Sequence, residues 1–427
     1  MELIIQKFAA PLIKAFARAS LVAVLIACGA NARADQSAPP ANSAAPAPAT
    51  APTPAPPLSS PAMVGPLTMA SPNEINLPAM VPSLSELPEP IAKLFDFDVN
   101  GVVSALGIVQ NHPVPGDYDL RGDFSNAQAI IQKADGVIQY YLQVGGYSIP
   151  ALGAPYIPLH QAVNALYGPL PVAYLKIAPT SNFSIMAGNL PTLIGAEYTF
   201  TFENMNIERG LLWNQENAIN RGVQLNYSLG PLSASLAWSN GFYSHSYTWL
   251  SGSLAYAINP ANTLTFVGAG NLGFAASNNL ATPLLLNNGQ IYNLIYEYNA
   301  APLIIEPYFQ WTVVPHNPKL GVFKTTSTIG GAILASYAFT DNIFLAGRAE
   351  YIGTNGTASD GAANLLYGPG SEAWSITLTP TYQYKKFFAR LEGAYVQAMG
   401  YTSGGVFGKV GDHPSQVGGA LEMGFIL

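Results

Sequence analysis

From residue 97 onward, apolar and polar positions alternate along the chain with a period of two. Ile138, Tyr140, Leu142 and Val144 share one face of a stretch whose other face carries Gln139, Tyr141 and Gln143. Leu232, Ala234, Leu236 and Trp238 alternate with Ser233, Ser235 and Ser239, and Trp374, Ile376, Leu378, Pro380 and Tyr382 with Ser375, Thr377, Thr379 and Thr381. The final stretch sets Val417, Gly419, Leu421, Met423, Phe425 and Leu427 against Gln416, Gly418, Ala420, Glu422 and Gly424. A period of two is strand geometry. An apolar face on strand after strand fits a sheet with lipid on one side and water on the other.

Followed to the end, the pattern predicts about sixteen strands, the even number that bacterial outer-membrane barrels have. They fall near 97–109, 124–133, 137–148, 170–178, 182–189, 221–229, 232–239 and 249–258, then 263–271, 289–298, 303–313, 327–339, 343–352, 373–383, 387–397 and 415–427. Short connections, such as Ala134-Asp135-Gly136, Gly230-Pro231, Asn259-Pro260, Thr340-Asp341-Asn342 and Tyr384-Lys385-Lys386, alternate with long ones near 110–123, 149–169, 190–220, 240–248, 272–288, 314–326, 353–372 and 398–414. Short periplasmic turns alternating with long external loops mark an antiparallel up-and-down barrel, with both termini in the periplasm. Aromatic residues gather near strand ends, at Tyr174, Tyr227, Trp238, Trp249, Tyr298, Trp311, Tyr337 and Phe387. Interface girdles place rings there, although ordinary strand propensity also enriches aromatics.

Composition supports the same class. Charged residues make up 10 % of the 427 residues, against roughly 25 % in soluble proteins. Mean hydropathy is +0.22, yet beyond residue 30 no apolar run reaches the roughly 18 residues of a spanning helix. A lipid-embedded chain without such runs has the closed barrel as its alternative, because every backbone N–H and C=O must be paired within the bilayer.

The first residues read as an export signal over 1–34. Lys7, Lys14 and Arg18 form a basic region, Ala19 to Ala27 a short apolar one, and Ala32-Arg33-Ala34 a small-x-small cleavage site before Asp35. Leu25-Ile26-Ala27-Cys28 offers a competing lipoprotein signal, which would retain an acylated Cys28. Ordinary cleavage is favoured, since a barrel needs no acyl anchor. Cys28 is the only cysteine, which excludes an internal disulfide and a CxxC metal site. The formal charge of −7 becomes −10 once residues 1–34 are removed. Such a chain lacks the basic footprint of a nucleic-acid partner. Residues 35–94 are rich in Pro, Ala and Ser and predict a disordered, unpacked periplasmic linker. A spacer that touches the cell wall is the functional form of that reading, a passive linker the simpler one.

Two stretches are less generic. One is Gly188-Asn189-Leu190-Pro191-Thr192-Leu193-Ile194-Gly195-Ala196-Glu197. The other is Asn204-Met205-Asn206-Ile207-Glu208-Arg209-Gly210-Leu211-Leu212-Trp213, followed by Gln215-Glu216 and Asn220-Arg221-Gly222-Val223-Gln224. Both resemble the β-barrel porin family called OmpL-like. The resemblance runs over most of 95–427 and is specific within about 187–258. It implies an outer-membrane porin and carries no substrate with it. A homotrimer is expected by analogy with porins. In one departure, the chain ends Phe425-Ile426-Leu427, where outer-membrane barrels usually end on an aromatic residue.

Catalytic constellations are missing from the sequence. There is no G-x-S-x-G elbow and no H-E-x-x-H pair. Gly404-Gly405-Val406-Phe407-Gly408-Lys409 fails the phosphate-loop spacing, with Val410 where Ser or Thr is required. Ser244-His245-Ser246 has no orienting acid beside it, and His112, His160, His316 and His413 fall in predicted loops. No enzyme, cofactor or metal is expected. The charges are more informative. Arg348 with Glu350 and Arg390 with Glu392 have R-x-E spacing, which puts both members of each pair on one strand face. The opposite face suits lipid, where a charge at midplane costs roughly 2–4 kcal/mol, so these four should line the lumen. Glu297, Glu306 and Glu422 share that parity. Either they form a network that fills the barrel, or they form a wall that filters ions. If they filter, the acidic excess predicts cation preference. Loop 190–220 carries Glu197, Glu203, Glu208, Arg209 and Glu216 with Leu211, Leu212 and Trp213. Packing against the inner wall, charges toward the channel, would satisfy both kinds of side chain. An external cap or a subunit contact is the equal alternative. The expected protein sits among outer-membrane lipids and lets small hydrophilic solutes or ions diffuse through. A substrate-selective channel, or a structural or adhesive barrel without channel activity, are the alternatives.

Overall fold

The computed structural model describes residues 65–81, 84 and 86–427. The signal segment, its cleavage site, Cys28 and the first part of the Pro-rich stretch lie outside the described residues.

Among the described residues, seventeen strands form one antiparallel sheet. A short strand, β1 (Asn73–Asn76), precedes sixteen longer ones. These are β2 (Asp96–Gln110), β3 (Leu120–Lys133), β4 (Ile138–Tyr147), β5 (Val172–Thr180), β6 (Phe183–Pro191), β7 (Ile219–Leu229), β8 (Leu232–Ser239) and β9 (Trp249–Asn259). The second half has β10 (Asn262–Asn271), β11 (Gln290–Ala300), β12 (Leu303–Val314), β13 (Thr326–Thr340), β14 (Ile343–Thr354), β15 (Glu372–Tyr384), β16 (Phe387–Met399) and β17 (Ser415–Ile426). Each strand pairs with its sequence neighbour, and β17 pairs with β2 from Gly418↔Gln110 to Ile426↔Val102. The sheet therefore closes into a sixteen-stranded barrel. Closure leaves no edge, which is the condition for strands in lipid.

The sixteen strands coincide with the expected ones to within four residues, the largest difference being the start of β3. Register carries the alternation through: Leu225 stands opposite Leu236, and Leu236 opposite Gly252. Along β15, Ile376, Leu378 and Tyr382 are exposed and Ser375, Thr377, Thr379 and Thr381 are buried. Exposed apolar side chains thus face outward all round the barrel, as bilayer contact requires. At the turn between β7 and β8, Gly230 adopts a φ of +56°, a region open to glycine without strain.

The expected linker needs correction at its C-terminal end. Leu67 is 2 % exposed, in one apolar cluster with Val102, Ile130, Phe200, Phe202, Phe388 and Ile426. The Thr68 N–H donates to Gln383 Oε1, and Gln383 Nε2 returns a bond to the Thr68 carbonyl. Asn100 donates to the Ala70 carbonyl. Strand β1 then pairs with the start of β2, from Asn73↔Val99 to Asn76↔Asp96, beyond the point where β17 ends. Two features of the barrel recruit this segment. The first residues of β2 lie beyond the reach of β17 and pair with β1 on that side, and the inner wall has an apolar hole that Leu67 fills.

A lumen filled from one side

Loop 192–218, between β6 and β7, does not stand outside the barrel. Ile194, Phe200, Phe202, Met205, Ile207, Leu211 and Leu212 are all fully buried in it. An irregular segment inside a barrel has no ladder for its N–H and C=O groups, and each group left unpaired there is costly. The inner wall of β14, β16 and β17 supplies the partners.

Arg390 on β16 donates to three loop carbonyls, those of Thr201, Asn204 and Met205, at 2.8–2.9 Å. Glu392, two residues on, accepts from the Ile207 and Glu208 N–H groups at 2.6 and 2.9 Å and from the Thr379 hydroxyl. The R-x-E spacing thus places a donor and an acceptor side by side under one stretch of backbone. The second pair repeats the device on β14. Arg348 binds the Glu208 carbonyl at 2.7 Å and the Glu197 carboxylate at 2.6 Å. Glu350 accepts from the Leu211 N–H and the Ser375 hydroxyl and lies 3.2 Å from Arg348 Nε. Gly210 has no side chain because the Glu350 carboxylate occupies the place of a Cβ. Glu422 on β17 accepts from the Thr201 hydroxyl at 2.6 Å and meets Arg390 at 3.4 Å.

The loop also binds itself. Glu197 accepts from the Gly210 N–H, Glu203 from the Phe200 N–H, and Arg209 donates to the Thr199 carbonyl while lying over the Trp213 ring. Burial pushes the Glu203 carboxyl up to about 8. Burial also raises Glu216 well above the usual carboxylate range, and the Tyr308 hydroxyl of β12 is the donor that opposes the rise.

Of the twelve charged residues singled out in the sequence, nine gather in this assembly: Glu197, Glu203, Glu208, Arg209, Arg348, Glu350, Arg390, Glu392 and Glu422. Glu216 is in the same loop but turns toward Tyr308 of β12 instead. Glu297 and Glu306 stand apart, on β11 and β12 near the short-turn end, with Glu306 buried and Glu297 half-buried. The loop does pack on the inner wall. Its charges, however, point into the wall and into its own backbone, because those groups are what the irregular chain needs. Sequence reading missed the N-terminal segment under the loop. It also missed Gln310 and Asn293, which bond the Leu212 carbonyl and the Gly195 N–H from β12 and β11. Inward parity was the available signal for both.

The other side of the lumen differs. On β7–β10 the inward positions are Asn226, Ser228, Ser233, Ser235, Ser253, Ala255, Thr263 and Thr265, all partly exposed. Further toward the long-loop end Gln224, Ala237, Ser239, Ser251, Val267 and Ala269 are buried again. Open space therefore adjoins the short-turn half of this wall, while loops close over the other half.

Chemistry elsewhere is sparse. The Ser244 hydroxyl donates to the Asn240 carbonyl rather than to His245. His112 stacks on His413 with ring centroids 3.7 Å apart. Among the described residues, no group of three or more His, Cys, Asp or Glu is arranged to hold a metal ion.

Comparison with known proteins agrees with this architecture. Residues 96–427 match the family described as "Putative beta-barrel porin-2, OmpL-like", and the chain belongs to that family. No curated protein matches it. Among solved structures, the outer membrane channel DcaP of Acinetobacter baumannii is similar at TM-score 0.53 and 10 % identity, covering 78 % of this chain and 97 % of that one. An anion-selective porin from Comamonas acidovorans is similar at TM-score 0.52 and 12 % identity, over 78 % and 99 %. Vibrio cholerae OmpT, in a trimer form, gives TM-score 0.50 and 11 % identity over the same shares. At such identities the likeness is one of fold.

Proposed function

We propose that this member of the porin family is a narrow outer-membrane diffusion channel for small hydrophilic solutes or ions, in which loop 192–218 forms the constriction. One observation carries the reading. The inner wall is unequally filled, with β14, β16 and β17 covered by the loop and the lower half of β7–β10 bordering open space lined by Ser, Thr and Asn. A sixteen-stranded ring is wide enough for an aqueous path beside such a loop. The short turns and both chain termini then lie on the periplasmic side and the long loops outside, which makes the N-terminal residues periplasmic. A homotrimer is the assembly we expect, a trimer form being named for the V. cholerae protein.

The closed upper half of β7–β10 favours a second reading, a structural barrel without conductance. Planar-bilayer recording separates the two. The wild-type channel should conduct weakly, and deletion of Asn204–Trp213 should raise single-channel conductance while the heat-modifiable barrel band remains. Unchanged conductance in the folded deletion would place the loop outside the path. Silence in both proteins would favour the structural barrel.

A further inference from the structure

A cleft lined by the long loops and by Arg221 of β7 lies at the rim of the barrel, where those loops meet the lipid-facing wall. Arg221 opens the outward-facing series of β7, followed by Val223, Leu225, Tyr227 and Leu229, all of which are exposed. Val223 pairs with Trp238, which is 59 % exposed and donates its indole N–H to the Tyr247 carbonyl. An exposed Trp beside an exposed Tyr at a strand end marks the depth of the lipid headgroups. Arg221 is two residues further out, so its guanidinium sits at headgroup level.

The arginine is fixed in place. One Nη donates to the Tyr243 hydroxyl at 2.6 Å, and the guanidinium carbon lies 4.2 Å from the centre of the same ring. Tyr243 is held in turn by Tyr167, edge to face at 5.4 Å. No carboxylate pairs with Arg221, and its remaining side-chain N–H groups have no partner among the described residues. A guanidinium has five donors in a fixed fork that matches phosphate oxygens. Here most of the fork is presented and unspent.

The cleft beside it measures about 250 Å³. His245, Asn164 and Asn279 contribute polar groups, while Val163, Leu166 and Ala281 contribute apolar ones. None of the lining residues is acidic, in a chain of net charge −7. The short helix Leu159–Ala165 ends at the cleft, and its terminal carbonyls would repel an anion. The Tyr147 hydroxyl bonds the Ala162 and Gly168 carbonyls. A cationic, partly apolar cleft above an exposed apolar wall matches a ligand with an anionic head and hydrocarbon below it.

We infer that this cleft binds the phosphate of a phosphorylated glycolipid in the leaflet that faces the long loops. The assignment of that leaflet to the cell exterior rests on the orientation proposed above, and the phosphate site itself does not.

The test uses the full protein, purified in mild detergent, with diphosphoryl lipid A as probe and native mass spectrometry as readout. Wild type should retain the lipid, and Arg221→Gln should bind it roughly tenfold more weakly, the loss expected for hydrogen bonds to a charged group. Tyr243→Phe, which keeps the ring and removes the hydroxyl anchor, should give a smaller loss. Equal binding by wild type and a folded Arg221→Gln would overturn the proposal. So would equal binding of the dephosphorylated glycolipid, or saturation of the site by inorganic phosphate alone, which would mark a free-anion site. A shift of the oligomer on Arg221→Gln, with lipid binding intact, would assign the cleft to a contact between copies. Arg221-dependent binding of phosphatidylglycerol in preference to lipid A would overturn the glycolipid assignment while leaving the channel reading untouched.

Discussion

The inner faces of β14–β17 and of β7–β10 belong to one closed sheet and obey the same alternation. The first carries Arg348, Glu350, Arg390, Glu392 and Glu422, while the uncovered half of the second carries Ser, Thr, Asn and Ala. Charge sits where the wall must stand in for a missing ladder, under a backbone that runs irregularly through the lumen. Small neutral side chains sit where nothing covers the wall. A buried arginine in a barrel is thus evidence of what it holds rather than of what passes it. Charges exposed to permeant ions must be sought on the other side.

The largest effect should come from cutting the charged wall. Arg390→Ala removes the donor of three loop carbonyls and leaves Glu422 buried without its cation. Removing one partner of such a buried set costs about 3–5 kcal/mol. The folded barrel should persist, since all sixteen strand pairings remain, but its melting temperature should fall and its conductance should become larger and noisier. A folded Arg390→Ala with unchanged conductance would show that the loop keeps its place without the wall, and the contrast between the two sides would lose its meaning.

A smaller effect is expected at the segment beneath the loop. Leu67 fills an apolar hole between the wall and Phe200 and Phe202, and Leu67→Ala should cost about 2–5 kcal/mol locally. Because β1 and the Gln383 bonds remain, the loss should appear as protease sensitivity near residue 67 and a modest rise in conductance. If residues before 73 resist proteolysis as in wild type, Leu67 does not hold the segment.

That segment shows where the sequence stopped being legible. The strands could be read because lipid on one side and the lumen on the other impose a period of two on every one of them. The R-x-E pairs could be placed on the inner face by the same parity. Their partners could not be read, because the loop backbone they bind carries no period and its N–H and C=O groups look alike at every residue. Leu67 was hidden in a different way. Its Pro-rich surroundings predict an unpacked chain, and one apolar anchor among them leaves no pattern. Tyr147 and Gln383 show the same limit, since each acts through a backbone carbonyl far away in sequence.

Protonation should bias the same loop less strongly. Burial pushes the Glu203 carboxyl up to about 8 in the folded loop, against an ordinary value of 4.5. The folded loop therefore holds a proton that the released loop gives up between those values, so docking is most favoured below about 4.5 and weakens as pH rises to about 8. Conductance noise should grow across that interval and level off above it. Glu203→Gln, neutral at every pH, should make the profile shallower and leave the share of Glu208 and Glu216, which burial raises likewise. A wild-type channel that is quieter at pH 8 than at pH 5 would contradict the sign.

The smallest effect concerns the open wall. Counting carboxylates by parity gives Glu297, Glu306, Glu350, Glu392 and Glu422 against Arg348 and Arg390, a strong acidic excess. The structure removes most of it from consideration, because Glu350, Glu392, Glu422 and both arginines are spent on the loop, and Glu306 is buried. Glu297 remains half-exposed on β11, opposite Thr263 of β10, with Asn299 donating to its carboxylate at 3.1 Å. It adjoins the neutral wall and is the carboxylate that a passing ion would meet there. Lys176, on the inner face of β5, is the cation that opposes it there and limits the excess. Cation preference should accordingly be weak and should grow as salt is lowered, since the screening length lengthens from about 10 Å at 0.1 M to about 30 Å at 0.01 M. Glu297→Gln should abolish most of it, whereas Glu392→Gln should disturb stability before selectivity. Reversal potentials under a salt gradient decide between these outcomes. Anion selectivity of the wild type, the property named for the C. acidovorans porin, would show that the loop side sets the field after all.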